Sequence, residues 1–235
     1  MMRSFWLRFS AVAGLAWGLA GCASGPLPPD WQVSAHGAAE RATQADLQGL
    51  DRVATAEWRR ALADVSATAD PALLARLELL RCAVRQAALD AWFCTEHEAR
   101  WPQPGAADGA YRQYLTGQST SADVEWLPVQ HQPVARHLAD VAAAPNPSTA
   151  RSEPVDLLRR IDDPLARLVA AAALLRAGQA SPEVVSLAID TASAQGWRRP
   201  LHAWLLVAQR LAEQAGDAPA QQAIDARLRA LAGEP

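Results

Sequence analysis

Apolar residues recur every three or four positions along most of this chain, which is the spacing of one face of an α-helix. Several segments start with a residue that caps a helix, followed directly by Pro, as in Asp70-Pro71, Asp163-Pro164 and Ser181-Pro182. Glu153-Pro154 and Arg199-Pro200 are weaker examples. No segment alternates apolar and polar residues long enough to indicate a strand. The pattern predicts helices at residues 35–48, 51–67, 71–88, 92–100, 107–116, 130–143, 154–161, 164–177, 182–195, 200–215 and 218–231.

The helix predicted from Pro71 shows how these elements should pack. It is apolar on two opposite faces, one formed by Leu73, Leu77, Leu80 and Val84 and the other by Ala75, Leu79, Cys82 and Leu89. A narrow strip between them holds Glu78, Arg81 and Arg85, where we expect weak pairing and solvation. A helix buried on two faces belongs inside a layered array. The sequence therefore predicts an all-α fold of antiparallel helical hairpins stacked on one another.

Composition supports a helical, folded protein. Of the 235 residues, 50% are hydrophobic and 20% are charged, and alanine, the best helix former, is the most frequent type. The 25 acidic residues outnumber the 22 basic ones, all of which are Arg. Binding to a phosphate backbone needs a positive patch that releases counterions, so nucleic acid is not an expected partner.

The chain divides into five predicted segments. Residues 1–21 have the features of an export signal, with Arg3 and Arg8 before an apolar stretch from Phe9 to Ala20. Residues 22–30 are rich in Pro and predict an extended tether. An N-terminal helical lobe at 31–143 and a C-terminal one at 154–235 are separated by a linker at 144–153, where Asn146-Pro147 marks a turn.

The end of the export signal, Leu19-Ala20-Gly21-Cys22, resembles the lipobox of bacterial lipoproteins. The resemblance implies cleavage before Cys22 and acylation of that cysteine. In enteric bacteria the family keeps proteins with Asp after the cysteine in the inner membrane. Ala23 stands there in this chain, so the resemblance implies the periplasmic face of the outer membrane. The alternatives are an ordinary signal peptide or an N-terminal membrane anchor.

A second resemblance rests on Gly49, Ala54, Trp58 and Ala61. This spacing is similar to tetratricopeptide repeats, in which Gly ends the first helix, Ala permits close crossing and an aromatic residue fills the groove. Looser copies of the pattern follow Gly178, with Ala188 and Ala192, and Gly216, with Ala223 and Ala226. The resemblance implies a TPR-like α-solenoid. An unrelated all-α bundle is the alternative.

Cys82 and Cys94 are candidates for a disulfide, because an exported chain meets an oxidising compartment. On one straight helix they would lie too far apart, so the bond requires the chain to reverse near Ala88. A buried free pair is one alternative. The other is a metal site in which Cys94 and His97 share a helix face and Cys82 and Glu98 complete the ligands.

No catalytic or cofactor motif is present. The chain lacks a nucleophile elbow, a phosphate-binding loop, an H-E-x-x-H motif and a dinucleotide fingerprint. His131 and His137 lie about 240° apart on a helix and would not bind one ion, and no metal or other cofactor is expected. Asp162 and Asp163 are expected to be helix-start charges.

Two groups of residues are candidates for binding a partner. One is a central aromatic cluster, whose members are Trp92, Phe93, Trp101, Tyr111, Tyr114 and Trp126. Its tryptophans are the candidates for contacting a partner, although filling the core would also explain them. The second group is the connection between two predicted helices at Trp197, Arg198 and Arg199. Its arginines would bind a carboxylate or an acidic peptide. The alternative is a solvated corner in which Trp197 packs inward. We therefore expect a lipid-anchored helical module that binds a protein or peptide of the cell envelope. A periplasmic enzyme with a site near the aromatic cluster is the alternative.

Overall fold

A computed structural model of the protein describes residues 27–90, 105–144 and 154–233, and within these ranges all regular structure is helical. The helices are α1 (Asp30–Gln48), α2 (Asp51–Ser66), α3 (Pro71–Ala87), α4 (Ala106–Leu115), α5 (Gln132–Ala143), α6 (Pro154–Arg159), α7 (Pro164–Arg176), α8 (Pro182–Ala194), α9 (Arg198–Ala215) and α10 (Ala218–Ala232), with a short 3₁₀ turn at Val124–Trp126. The all-α prediction is confirmed. The predicted helix 92–100 lies outside the described residues.

The helix starts follow the cap-and-Pro signals. The side chains of Asp70, Asp163 and Ser181 each accept hydrogen bonds from backbone N–H groups in the first turn of α3, α7 and α8. Two expectations are corrected. Helix α1 begins at Asp30 rather than residue 35, directly after Pro29. Arg199-Pro200 does not mark a helix start, because α9 begins at Arg198 and Pro200 lies in its first turn, where no N–H donor is needed.

Helix α3 is central, as its two apolar faces predicted. It packs against α1 and α2, and also against α4 and α7. Leu77 and Val84 are buried, but Leu80 is 37% exposed and lies at the edge of its face. The polar strip is also less solvated than expected: the side chains of Arg81 and Arg85 are only 22% and 20% exposed. These arginines lie between packed helices instead of facing water.

The α1–α2 hairpin matches the roles that the repeat resemblance implied for its residues. Gly49 ends α1 in the left-handed conformation, with φ of 80°. Ala54, Trp58 and Ala61 are buried between the helices. The looser copy after Gly216 does not match these roles, because Ala223 and Ala226 are exposed and α10 has no buried residue. A TPR-like array is not confirmed, since α1 also contacts the distant α9, whereas solenoid repeats contact only their neighbours.

Helices from both sides of the predicted linker share one hydrophobic core. Helix α3 packs on α7, and α1 packs on α9. Gln86 of α3 joins the two parts further, because its amide donates to the carbonyl of Leu115 at 2.9 Å and accepts from Arg176 at 3.4 Å. The lobe boundary itself stays a prediction, because residues 145–153 lie outside the described ranges.

Gly117 is required where the end of α4 meets α7. Its φ is 72°, and a Cβ atom placed on it would lie 2.8 Å from the carbonyl oxygen of Ala173. Any other residue would combine a strained backbone with a steric clash against main chain that cannot move aside. The close contact fixes the direction in which the chain leaves α4 toward the turn at 124–126.

Candidate functional site

The corner formed by Trp197, Arg198 and Arg199 lies against α1, and its arginines bind groups of this same chain. The Nε atom of Arg199 donates to the carbonyl oxygen of Asp46 at 2.7 Å and lies 3.5 Å from its Oδ1 atom. Arg199 also pairs with Asp51, and Arg198 donates to the carbonyl of Leu231. The carboxylates that Arg199 binds therefore belong to this same chain and not to a partner.

Asp46 is the centre of a buried polar network, which we call the Asp46 network. Its carboxylate is 5% exposed and accepts from Arg85 at 3.0 Å and from the indole N–H of Trp58 at 3.2 Å. With Arg199, these donors come from α2, α3 and α9 and meet at the last turn of α1. Charge-assisted hydrogen bonds are strong in a poorly solvated place, so this network joins four helices.

Trp197 is also used internally. It is 4% exposed, and its indole N–H donates to Gln44 at 3.3 Å. The Trp197 side chain packs inward, which was the structural alternative for this corner. Arg198 is exposed and keeps part of its guanidinium accessible.

Trp126 is the one partner-binding candidate in the described ranges that presents an aromatic ring to solvent. Its side chain is 51% exposed, and Val129 beside it is 76% exposed. The turn that carries them is tightly held. Asp123 accepts from both the N–H and the hydroxyl of Thr120, at 2.8 and 2.7 Å, and Gln132 donates to the carbonyl of Leu127 at 3.0 Å.

Apolar contacts with the rest of the protein also hold this turn in place. Val124 and Leu127 are 6% and 4% exposed, and the turn packs on α4 and α5. A rigid support of this kind presents an indole without a large loss of conformational entropy on binding, which is the property of an interface hot spot. We call Glu125, Trp126 and Val129 the Trp126 turn surface.

The rest of the described aromatic cluster is core. Tyr114 is fully buried, and its hydroxyl lies 3.2 Å from Nδ1 of His131, which is itself buried. The ring of Tyr111 lies 5.7 Å from the His131 ring. Burial lowers the pKa of His131 to about 4, against the opposing charge of Asp163. Burial also raises the pKa of both tyrosines. The cluster is neutral near pH 7 and stabilises the core.

The disulfide prediction is not tested, because only Cys82 of the two cysteines lies in the described ranges. Cys82 is buried in α3. Helix α3 ends at Ala87, and Leu89 takes a left-handed conformation with φ of 62°, so the chain turns where a disulfide requires it, although no Gly is present. Cys94 lies outside the described residues, and the bond stays a prediction. The proposed metal ligands His97 and Glu98 lie outside them as well.

Two kinds of feature are absent from the described ranges. They contain no group of three or more His, Cys, Asp or Glu side chains arranged to hold a metal ion. None of their helices combines the length and apolarity needed to cross a bilayer. Cys22, Trp92 and Trp101 lie outside these ranges.

Two surface grooves were not anticipated. A depression of about 670 Å³ runs along α1 and reaches the exposed side chains of Leu50, Val53 and Leu80. A second groove of about 330 Å³, which we call the α8–α10 groove, lies between α8, α9 and α10. Its walls are mainly aliphatic, and Asp217 and Arg227 border it. Only tertiary packing creates such a groove, so no local sequence signal could have shown it.

Comparison with known proteins gives no relative. No protein-family model, no curated protein and no solved structure matches this chain. The function is therefore argued from the sequence motifs and from the geometry above.

We expect loss of the Asp46 carboxylate to destabilise the fold strongly. Asp46→Ala leaves the partly buried guanidinium groups of Arg85 and Arg199 without their shared carboxylate, although each keeps a second acidic partner. The loss should lower the unfolding free energy by about 2 kcal/mol. Asp51→Ala is the matched control, since the Asp51 side chain is 71% exposed and its removal should cost under about 1 kcal/mol. Urea unfolding followed by circular dichroism measures both. Equal losses for the two variants would contradict this role.

The buried state of His131 predicts a stability that depends on pH. Its folded pKa lies below its unfolded value of about 6.5, so the stabilisation is complete above that pH and is lost as the pH falls toward 4. Between pH 7.5 and 5 this group alone should lower the unfolding free energy by about 2 kcal/mol.

The matched variants isolate His131 from other titrating groups. His131→Asn keeps an acceptor near Tyr114 and removes the titration, so its unfolding free energy should change less with pH than that of the unmodified protein. His202→Asn, at an exposed position of α9, is the matched control for the substitution itself. A slope in His131→Asn as steep as in the unmodified protein would show that His131 is not the source.

Proposed function

We propose that this protein is a lipid-anchored module of the bacterial envelope, on the periplasmic face of the outer membrane, and that it binds a protein partner through the Trp126 turn surface. The observation that carries the location is the string Leu19-Ala20-Gly21-Cys22 directly after an apolar stretch. The acyl chains on Cys22 hold the protein at the membrane, since each buried methylene adds about 0.8 kcal/mol.

The position of α1 agrees with a short tether. Asp30 begins the folded body, so only the residues from Cys22 to Pro29 separate it from the lipid. An extended chain of that length spans about 25 Å. The body therefore stays close to the membrane surface, and the tether leaves it free to rotate toward a partner.

The binding role is supported by the contrast between the tryptophans. Trp58, Trp197 and Trp204 are almost fully buried, and each indole N–H donates to a group inside the protein. Trp126 is half exposed on a rigid turn. Its exposure costs the isolated protein hydrophobic stabilisation, which a partner would recover.

The buried Cys82 is proposed to form a disulfide with Cys94 in the exported protein. The proposal is supported by the end of α3 at Ala87 and the left-handed conformation of Leu89, because the bond requires the helix to stop before Cys94. The bond would tie the segment after α3 back to the core.

Anchoring is tested by replacing the acylated residue in the full chain. Cys22→Ser removes the thiol that carries lipid, and we expect the protein to leave the membrane fraction or to accumulate uncleaved. Ser24→Ala is the matched control and should remain with outer-membrane vesicles. Ala23→Asp should move the protein to the inner-membrane fraction. A Cys22→Ser chain that is still cleaved and still sediments with outer membranes would refute the anchor.

Binding is tested with a photoreactive amino acid at a single position. Placed at residue 126 in cells, it should give discrete crosslinked bands. Placed at residue 59, an exposed position on α2, it should not give those bands. Identical bands from both positions, or none from residue 126, would count against a partner at this surface.

A further inference from the structure

We infer that the partner of the Trp126 turn surface is a second copy of this chain, which receives the indole in its α8–α10 groove. The inference rests on the proposed interaction role and names its partner. The same molecule carries an exposed apolar side chain, Trp126, and an open apolar groove, and the two lie on different parts of its surface.

The shape of the groove suits protein side chains. Its volume of about 330 Å³ lies at the lower end of the range for small-molecule pockets, and it is open along one side. Val185 and Ile189 of α8, Leu211 of α9 and Ile224 of α10 form its walls. An indole together with the small side chain of Val129 would bury apolar area against these walls, which is the main source of affinity at such a contact.

The charges next to the two surfaces are complementary. Glu125 is exposed directly beside Trp126, and Arg227 is exposed at one end of the groove. Neither forms an ion pair within the part of the chain that the structure describes. Asp217 borders the other end, about 15 Å away along α10. Docking with Glu125 near Arg227 gives an attractive pair, whereas the reversed orientation brings Glu125 toward Asp217.

The contact joins two different surfaces, and each copy carries both. Two copies can therefore close on each other with each turn in the partner's groove, or the contact can leave one turn and one groove free on each copy. In the second case the contact continues from copy to copy and produces an open chain or a ring. A partner of another kind would need its own apolar recess for Trp126 and a cation for Glu125, and crosslinks from residue 126 without a disulfide-linked dimer would reveal that case.

The test uses two full-length copies with different tags, expressed in the same cells and treated with a mild oxidant. One copy carries Val129→Cys at the turn, and the other carries Ser186→Cys at the groove. We expect a disulfide-linked dimer that contains both tags and disappears with reductant. Arg59→Cys in place of Ser186→Cys is the position control and should give no dimer. A single copy with both Val129→Cys and Ser186→Cys should give a doubly linked dimer if the contact closes reciprocally and a ladder of oligomers if it continues from copy to copy.

Two further variants test the contact itself. Trp126→Ala in the turn copy should reduce the dimer about tenfold or more, as expected for a hot spot. Glu125→Arg and Arg227→Glu should each reduce it, and Glu125→Arg in the turn copy combined with Arg227→Glu in the groove copy should restore it. A dimer that survives Trp126→Ala, a charge-reversed pair that is not restored, or equal crosslinking at residue 59 would overturn self-association.

The failure of this inference can be separated from failure of the proposed function. If no dimer forms but the photoreactive residue at 126 still gives its specific bands, self-association is wrong and the module stands. If the Cys22→Ser chain stays cleaved and membrane-bound, anchoring is wrong whatever the disulfide crosslinks show.

Discussion

The arrangement of the helices depends on one buried carboxylate. Asp46 lies at the end of α1, and its acceptor atoms receive donors from Trp58, Arg85 and Arg199, the last of them 153 residues away in sequence. A charge in so poorly solvated a place is unfavourable unless every partner is present. Alternative packings of these helices that separate the donors from Asp46 are therefore penalised. The network selects this arrangement among the many that an alanine-rich set of helices could adopt.

The alanine-rich core explains why polar specification is needed. Most buried positions of α1 and α7 are Ala, which lets helices approach closely but offers little shape to distinguish one register from another. The few large buried residues supply that shape, and their polar atoms are bonded: Trp204 donates to the carbonyl of Ala87, and Gln86 donates to that of Leu115. Apolar burial provides the stability, and these directional contacts fix the geometry.

The fold class and the helix starts that carry a capping residue before Pro could be predicted, because their causes are local. The helices that begin after Asp70, Asp163 and Ser181 are capped by the side chains of these residues. Each cap bonds backbone N–H groups only two or three residues further along the chain, so the sequence at that point is enough to predict the helix start. Leu89 shows where local rules fail. No Gly marks the end of α3, yet Leu89 adopts the left-handed conformation, and the backbone bonds from Leu89 to Gln86 and from Asp90 to Arg85 close the helix.

Burial of a particular side chain could not be predicted in the same way. Trp197 beside two arginines and Trp126 in the central aromatic cluster are both candidates for binding by sequence, and packing inside the protein is the alternative for both. Yet Trp197 is buried on Gln44 and Trp126 is half exposed. Likewise Arg199 reaches Asp46 only because α9 packs on α1. Which residue is free to bind depends on contacts between segments distant in sequence, and a single sequence gives no measure of those contacts.

Attachment to a membrane would change what a small contact can achieve. One indole in one groove buries far less area than the roughly 800 Å² per partner of a stable interface, so in dilute solution such a contact is weak. A tether of about 25 Å confines the molecules to a thin layer next to the lipid, which raises their effective concentration for one another. Within that layer a contact too weak to assemble free molecules can still be occupied. If both proposals hold, the anchor and the turn are not independent features, because the anchor would supply the local concentration at which the contact made by the turn becomes occupied.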